Sequence, residues 1–348
     1  MKKLATLLIL SLLVGFTLPA FAGGGTDGKK FNVAEMINHH ILDAHEWHLI
    51  STTDETTGKE HHYSIPLPII LWTNEGLVVF SSSEFHHSPV VSKGNSHYIL
   101  DHEHIYLADA QGKKLEGVSQ PLDFSITKNV ASMLISVVIL LLIFFNVKSA
   151  YAKRASQAPK GLQSLLEPLI LFIRDEIALP NIGHHYYKKY LPYLLTLFFF
   201  IWVNNLLGLV PTGANLTGNI AFTMVMASLT LLLTVFSGNK SYWGHIFATP
   251  GVPKPLLIIM IPVEVIGIFT KPFALMIRLF ANITAGHTII LSLVGLVFIF
   301  QNMFLGVPVT LFVLAMNCLE LFVALLQAYI FTLLTALFIG QAVAEDHH

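Results

Sequence analysis

The stretch VPVTLFVLAMNCLELFVALLQAYIFTLLTALFIGQA, from Val307, is longer than any bilayer needs. If helical, Thr310 to Gly340 alone would span roughly 45 Å at 1.5 Å per residue, against a hydrocarbon core of about 30 Å. FALMIRLFANITAGHTIILSLVGLVFIF, from Phe273, poses the same problem. Helices of this length must tilt strongly or bend.

Three shorter apolar runs precede them. ASMLISVVILLLIFFNV, from Ala131, can cross once with its flanks. LPYLLTLFFFIWVNNLLGLVP (191–211) and IAFTMVMASLTLLLTVFSG (220–238) read as an outward and a returning span around TGANLTGN. PKPLLIIMIPVEVIGIFT, from Pro253, is read as a separate segment before Phe273. The chain is 54% hydrophobic and 12% charged, where a soluble domain would carry about 25% charged residues. The expected fold is an all-α polytopic membrane protein with about five membrane-embedded helices.

The charges show the orientation. Residues 148–190 belong to a loop with seven bases (Lys148, Lys153, Arg154, Lys160, Arg174, Lys188, Lys189) against three acids, which the positive-inside tendency puts in the cytoplasm. Within it, LQSLLEPLILFIRDEI is amphipathic and broken at Pro168, the pattern of a helix lying along the interface. Residues 23–124 hold fourteen acids against six bases, a balance of −8. The start MKKLATLLILSLLVGFTLPAFA (1–22) has the basic end, apolar run and small residues of a signal sequence, with cleavage expected after Ala22; a short retained first helix is the other reading. Both put the acidic domain outside the cytoplasm. Cys318 is the only cysteine, so no internal disulfide holds that domain.

The domain is expected to be a small α+β unit. SIPLPIILW and LVVFSSS flank a turn at Thr73–Gly76, HYILDHEHIYLADAQGKKLEG reads as a second strand pair turning at Gly112, and AEMINHHILDAHEWHLI as a short helix. Eleven of the seventeen histidines fall here. His45 and His48 would sit about a helical turn apart, and His102 and His104 on one strand face. Imidazole suits zinc or copper, but no compact ligand motif is present, and no site is assigned: solvated, metal-binding or pH-sensing, and packing roles remain open.

The polar residues inside the oily segments carry the functional signal. A charge at mid-bilayer costs about 2.5–3.5 kcal/mol even on insertion scales, so Glu264, Arg278 and Glu320 need compensation that an anchor would not require. On a helix, Arg278, Asn282 and Ala285 share one face, with Gly286 at its edge and His287 about 180° away. Ala281, Ala285 and Gly286 let another helix approach closely. Asn317, Glu320, Ala324, Gln327 and Phe331 form a partly polar stripe on the last segment. Arginine keeps its proton, whereas His287, Glu320 and Glu264 can exchange one. A fixed cation among titratable groups suits a gate. No nucleotide loop, catalytic triad or closed metal motif is present, so an energy source other than an ion gradient must lie on a partner.

Glu264 through KPFALMIRLFANITAGH, followed by ELFVALLQAYIFTLLTALFI and preceded by FIWVNNLLGLVPTGANLTGN, resembles the subunit a family of F-type ATP synthases over roughly 125–342. The resemblance implies a non-catalytic stator subunit whose half-channels pass protons to and from a rotating ring of c subunits. It also implies peripheral-stalk b subunits, the rest of the F1Fo complex and the lipid bilayer as partners, with no nucleic acid, cofactor or metal. By this resemblance Arg278 is the gate between half-channels, Asn282 and Gln327 lie beside it, and Glu264, in the helix before, belongs to the proton path. His287 and Glu320 exchange the acid and histidine positions of many bacterial relatives. The implied organisation is a signal peptide (1–22), an exported domain (23–124), a first membrane helix (125–147), a cytoplasmic interfacial segment (148–190), the channel core (191–342) and a tail (343–348), in the cell inner membrane. A secondary transporter would show an internal repeat, and none is evident; a non-conducting assembly protein is the third reading.

Overall fold

In the computed structural model, which describes residues 43–53, 60–74, 76–115, 117–153, 158–210, 213–247, 253–300 and 303–344, chemistry for water gives way to chemistry for lipid at Thr127. The expected signal sequence, His39, His40 and the end of the tail lie outside the described residues.

The N-terminal domain is three small antiparallel sheets. Strands β1 (Glu46–Thr53) and β2 (Glu60–Pro66) pair with each other; β3 (Pro68–Thr73) lies between β4 (Gly76–Ser81) and β8 (Leu122–Asp123); β6 (Ser96–Asp101) lies between β5 (Val90–Lys93) and β7 (His104–Ala108). The only helix among the described residues before Thr127 is the four-residue α1 (Glu84–His87). Alternation along β3 sends Ile69 and Leu71 inward, where they meet Phe80, Val91, Tyr98 and Ile105. The β3–β4 hairpin turns where expected, with Thr73 opposite Gly76 and Gly76 at φ +120°.

Other local readings change. The β6–β7 turn falls at His102 and Glu103 (φ 48° and 63°), not Gly112, because a two-residue hairpin of this hand needs positive φ at both central positions. Gly112 closes the next small turn, through hydrogen bonds between Asp109 and Gly112 and between Asp109 and Lys113. His102 is thus in a turn and does not share a strand face with His104. The segment expected as a helix is a strand over its described end, since Glu46 to Thr53 pair with β2, so His45 and His48 are not a helical turn apart. Pairing with a distant strand overrides a weak local period.

The junction with the membrane is tied by polar contacts. Asp43 Oδ1 accepts from the Asn129 amide (3.0 Å) and Oδ2 from the Thr127 hydroxyl (3.0 Å), while the Lys128 amide donates to the Ala44 carbonyl (2.9 Å). Residues before β1 therefore cap the first membrane helix, α2 (Lys128–Lys153). Buried His45 meets Asp123 at 2.8 Å, and its amide reaches Glu103 at 3.4 Å. Burial pushes the Asp123 carboxyl up, but hydrogen bonds from His45 and Ser125 outweigh it and leave the group below its ordinary 3.8. A carboxyl lowered by folding contributes stability that is present above the unfolded value and lost as pH falls through the folded one. Thermal unfolding of the domain, followed by tryptophan fluorescence from pH 6 downward, is expected to lose this contribution only below about pH 4, and Asp123→Asn to remove that part of the dependence.

Beyond α2 come α3 (Leu162–Phe172), a π-helical turn (Ile173–Ala178), α4 (Leu179–Ile182), α5 (Tyr187–Gly208), a 3-10 turn (Leu216–Gly218), α6 (Ile220–Ser237), α7 (Lys240–Phe247), α8 (Lys254–Phe300) and α9 (Met303–Val343). Five of these helices, α2, α5, α6, α8 and α9, are long and apolar enough to cross a membrane, as expected. Pro168 does not break the interfacial segment: α3 runs through it and widens into the π turn directly after. The larger correction concerns residues 254–300. They form one helix of 47 residues, not two segments, with a length of about 70 Å. Lys271 and Pro272 lie inside it. Pro272 is buried, and the Lys271 ammonium donates to Gln341 Oε1 of α9 (3.0 Å) and lies 5.5 Å from the Phe338 ring centre. Packing on a neighbour keeps the helix continuous through a residue that locally favours a break.

The membrane core is a continuous apolar cluster. Leu194, Leu197, Phe198 and Ile201 of α5 meet Ile173 and Ile177 of the π turn, Leu275 and Leu279 of α8, and Phe331 and Ile339 of α9. Helix α9 also passes so close to α4 that a Cβ on Gly340 would collide with the Asn181 carbonyl oxygen.

Candidate functional site

Arg278 is exposed on the outer surface of α8. Ala274, Ala281, Asn282 and Ala285, all within about 60° of it around the helix, are exposed too. Arg278 has no hydrogen bond or ion pair with the described residues. The inward face of the same stretch carries Leu275, Leu279, Ile283 and Gly286, all buried. Side-chain size thus divides the helix into a packed inner face and an uncovered outer one, and the guanidinium lies on the outer one.

Behind it, α8 and α9 exchange polar contacts. Asn282 Nδ2 donates to Gln327 Oε1 at 3.0 Å, and Gln327 is 1% exposed, with its own Nε2 unpartnered among the described residues. One turn toward Glu320, the Ala324 carbonyl accepts from Asn205 Nδ2 at 3.0 Å. Asn205 and Asn204 are both buried, and Asn204 Nδ2 turns back to the Phe200 carbonyl (2.7 Å). These amides on α5 thus hydrogen-bond within protein, and Asn205 holds α9 between Gln327 and Glu320.

The acid and the imidazole are brought together. His287 Nδ1 lies 3.5 Å from Glu320 Oε2, with Glu320 6% exposed. Neither Glu320 oxygen has a hydrogen bond to the described residues. A buried carboxylate without hydrogen bonds is costly unless it has a charged partner, and His287 is the nearest such group. Gly286 makes this possible: a Cβ there would overlap Glu320 Oε1 and come within 2.9 Å of Cδ. The role of Gly286 was read from sequence as general helix approach, whereas its specific partner is this carboxylate. No periodicity identifies that partner, because it lies on another helix.

Glu264 is placed elsewhere. It lies on α8 itself, not on a preceding helix, 14 positions or about 21 Å before Arg278. Burial, and then the Glu264 charge, push the phenol of Tyr242 on α7 above its ordinary range. Arg278 with the Asn282–Gln327 pair, His287 with Glu320, and Glu264 thus form three separate stations along the helix. In the N-terminal domain, His45, His86 and His102 each meet a single carboxylate, and no group of three or more metal-binding side chains occurs among the described residues.

An outward arginine beside an Asn282–Gln327 amide pair, with an acid–imidazole pair about 14 Å along the same helix, defines an integral membrane protein with charged and titratable groups inside its spans. Comparison with known proteins narrows the class. The chain belongs to the ATP synthase A chain family, whose model matches residues 130–340. It is 51% identical over 230 residues to the ATP synthase subunit a of Chloroherpeton thalassium, covering 65% of this chain and 69% of that one. It is 50% identical over 234 residues to the ATP synthase subunit a 2 of Chlorobaculum tepidum (65% and 66%), and 45% over 260 residues to the ATP synthase subunit a of an Anaeromyxobacter species (71% and 63%). Residues 36–124 match a separate model, a domain of unknown function, DUF8433.

Proposed function

We propose that this chain is the stationary proton-channel subunit of the membrane sector of an F-type ATP synthase, working with a ring of c subunits, b subunits and the rest of the complex. The observation that carries the reading is Arg278: a permanent cation on the exposed face of a membrane helix, among alanines that admit a close neighbour, with no anion beside it among the described residues. A passing carboxylate on a ring subunit supplies the missing charge. Arg278 holds that carboxylate ionised as it passes and bars direct passage of protons between two half-channels. Asn282 and Gln327 brace the strip from behind. His287 and Glu320 deliver or accept the proton on one side, and Glu264 serves the other. The basic segment between α2 and α5 lies in the cytoplasm with the C-terminus, and the N-terminal domain lies in the periplasm, which the distribution of bases supports. ATP chemistry belongs to partner subunits.

The acid–imidazole station is tested in the purified complex reconstituted in vesicles. Glu320→Gln is expected to slow ATP-driven proton uptake about a hundredfold, the low end of what a positioned proton-transfer group contributes. His287→Ala is expected to change the pH profile of pumping as well as its rate. A Glu320→Gln enzyme with the parent rate and profile would remove these residues from the path. Repeating ATP synthesis under a sodium gradient at fixed proton gradient tests the ion.

A further inference from the structure

The β4–β3–β8 sheet of the N-terminal domain is apolar on both faces. Ile69, Leu71 and Phe80 on one face fill the core. On the other, register places Leu77, Trp72 and Leu122 in one row across β4, β3 and β8, and Val79, Ile70 and Phe124 in the next. Trp72 is 55% exposed, Leu77 59%, Val79 57%, Leu122 60% and Phe124 64%. A water-soluble domain rarely leaves so continuous an apolar face uncovered. The third row is Ser81, Pro68 and Ile126, and Ile126 is two residues before α2 begins.

We infer that this face rests on the membrane surface beside the first span, with Trp72 and Phe124 seated at the boundary between headgroups and acyl chains. Three observations select lipid as the occupant. The face is continuous with the membrane interface: Phe124 is joined to the first residue of α2 by at most about 14 Å of chain, so its row cannot stand far from the headgroups. The face also lacks groups for specific protein recognition. Its only side-chain hydroxyl, that of Ser81, is already bonded to Ser83, whereas a protein interface of any size carries about one hydrogen bond per 100–200 Å². Finally, its one remaining polar handle is the indole N–H of Trp72, the side chain that favours the interface because one part is oily and one part can bond to water or a headgroup. The strands run about 13 Å from Pro68 to Trp72, which is the reach of the face along the surface when the sheet lies flat on it. Junction contacts from Asp43 to Thr127 and Asn129 hold the domain to the top of α2.

The test uses the full chain in the assembled complex, in vesicles, with Trp47, Trp202 and Trp243 replaced by Phe so that Trp72 alone reports. Exchanging the lipid for one brominated in its acyl chains is expected to cut Trp72 emission by about half, as for a ring at the acyl boundary. Leu77→Glu with Val79→Glu, which puts two charges on the apolar face itself and leaves the core face untouched, is expected to restore the emission while the domain keeps its resistance to trypsin. Emission that is indifferent to bromolipid but quenched by aqueous iodide would overturn the inference, leaving the face in water. Indifference to both quenchers would overturn it in favour of a covering protein.

Discussion

Replacing Arg278 by alanine is expected to abolish coupled proton pumping and ATP synthesis in reconstituted vesicles while the subunit still inserts and assembles. The two outcomes separate because Arg278 is exposed and makes no hydrogen bond or ion pair with the described residues, while the buried Leu275 and Leu279 make the packing. Removing it takes away the electrostatic bias on any carboxylate that passes. At about 4 Å and an effective dielectric near 20, that bias is about 4 kcal/mol, a factor of roughly a thousand in the ratio of ionised to protonated carboxyl. Without it, a ring carboxyl has no reason to release its proton at this position, and nothing separates the two access paths. ATP-driven proton uptake should therefore fall to background, and passive leak through the membrane sector should rise. Arg278→Lys is expected to recover little, since an ammonium lacks the planar fork that meets a carboxylate with two hydrogen bonds. Normal coupled pumping in the alanine variant would sink the channel assignment.

The second large effect is expected at Gly286, a residue with no chemistry of its own. A valine there would project Cβ and two methyls into the space held by the Glu320 carboxylate, with even the Cβ overlapping Oε1. The carboxylate must move away from His287, or α8 and α9 must separate, and separation would strain the 3.0 Å Asn282–Gln327 bond one turn away. Overpacking of this kind costs typically about 1–3 kcal/mol, which a bundle with so large a core tolerates as assembled protein. Proton uptake is therefore expected to be lost with the complex intact, as judged by co-purification of the other subunits. Gly286→Ala should give an intermediate rate. A valine variant that pumps normally would show that Glu320 need not sit against α8.

The membrane half of the protein was legible because lipid leaves few options. Oily runs in a bilayer must satisfy their backbone internally, so the five spans, the overlong final helix and the cost of Glu264, Arg278 and Glu320 could be read from residue order. Helical spacing also put Asn282 beside Arg278 and turned His287 away from it. The N-terminal domain was less legible. Its strands depend on partners far along the chain, which is why the described end of an apparent helix, Glu46 to Ile50, became part of β1, and why the second hairpin turned at His102 instead of at the glycine. Proline was misleading for a related reason. Pro168 and Pro272 mark breaks locally, yet α3 and α8 run through them, because packing around the proline outweighs the lost hydrogen bond.

The residue types needed for a proton path, and the faces they occupy on their own helices, were determined by sequence alone, since charge, titratability and the 3.6-residue repeat are local properties. Which helix each face meets was decided only in three dimensions. Tertiary packing set Glu320 against Gly286 and 3.5 Å from His287, paired Asn282 with Gln327, drew Asn205 to the Ala324 carbonyl, and left Arg278 uncovered. Those outcomes depend on side-chain volume and shape at contacts between residues distant in the chain, and a one-dimensional period carries no information about them.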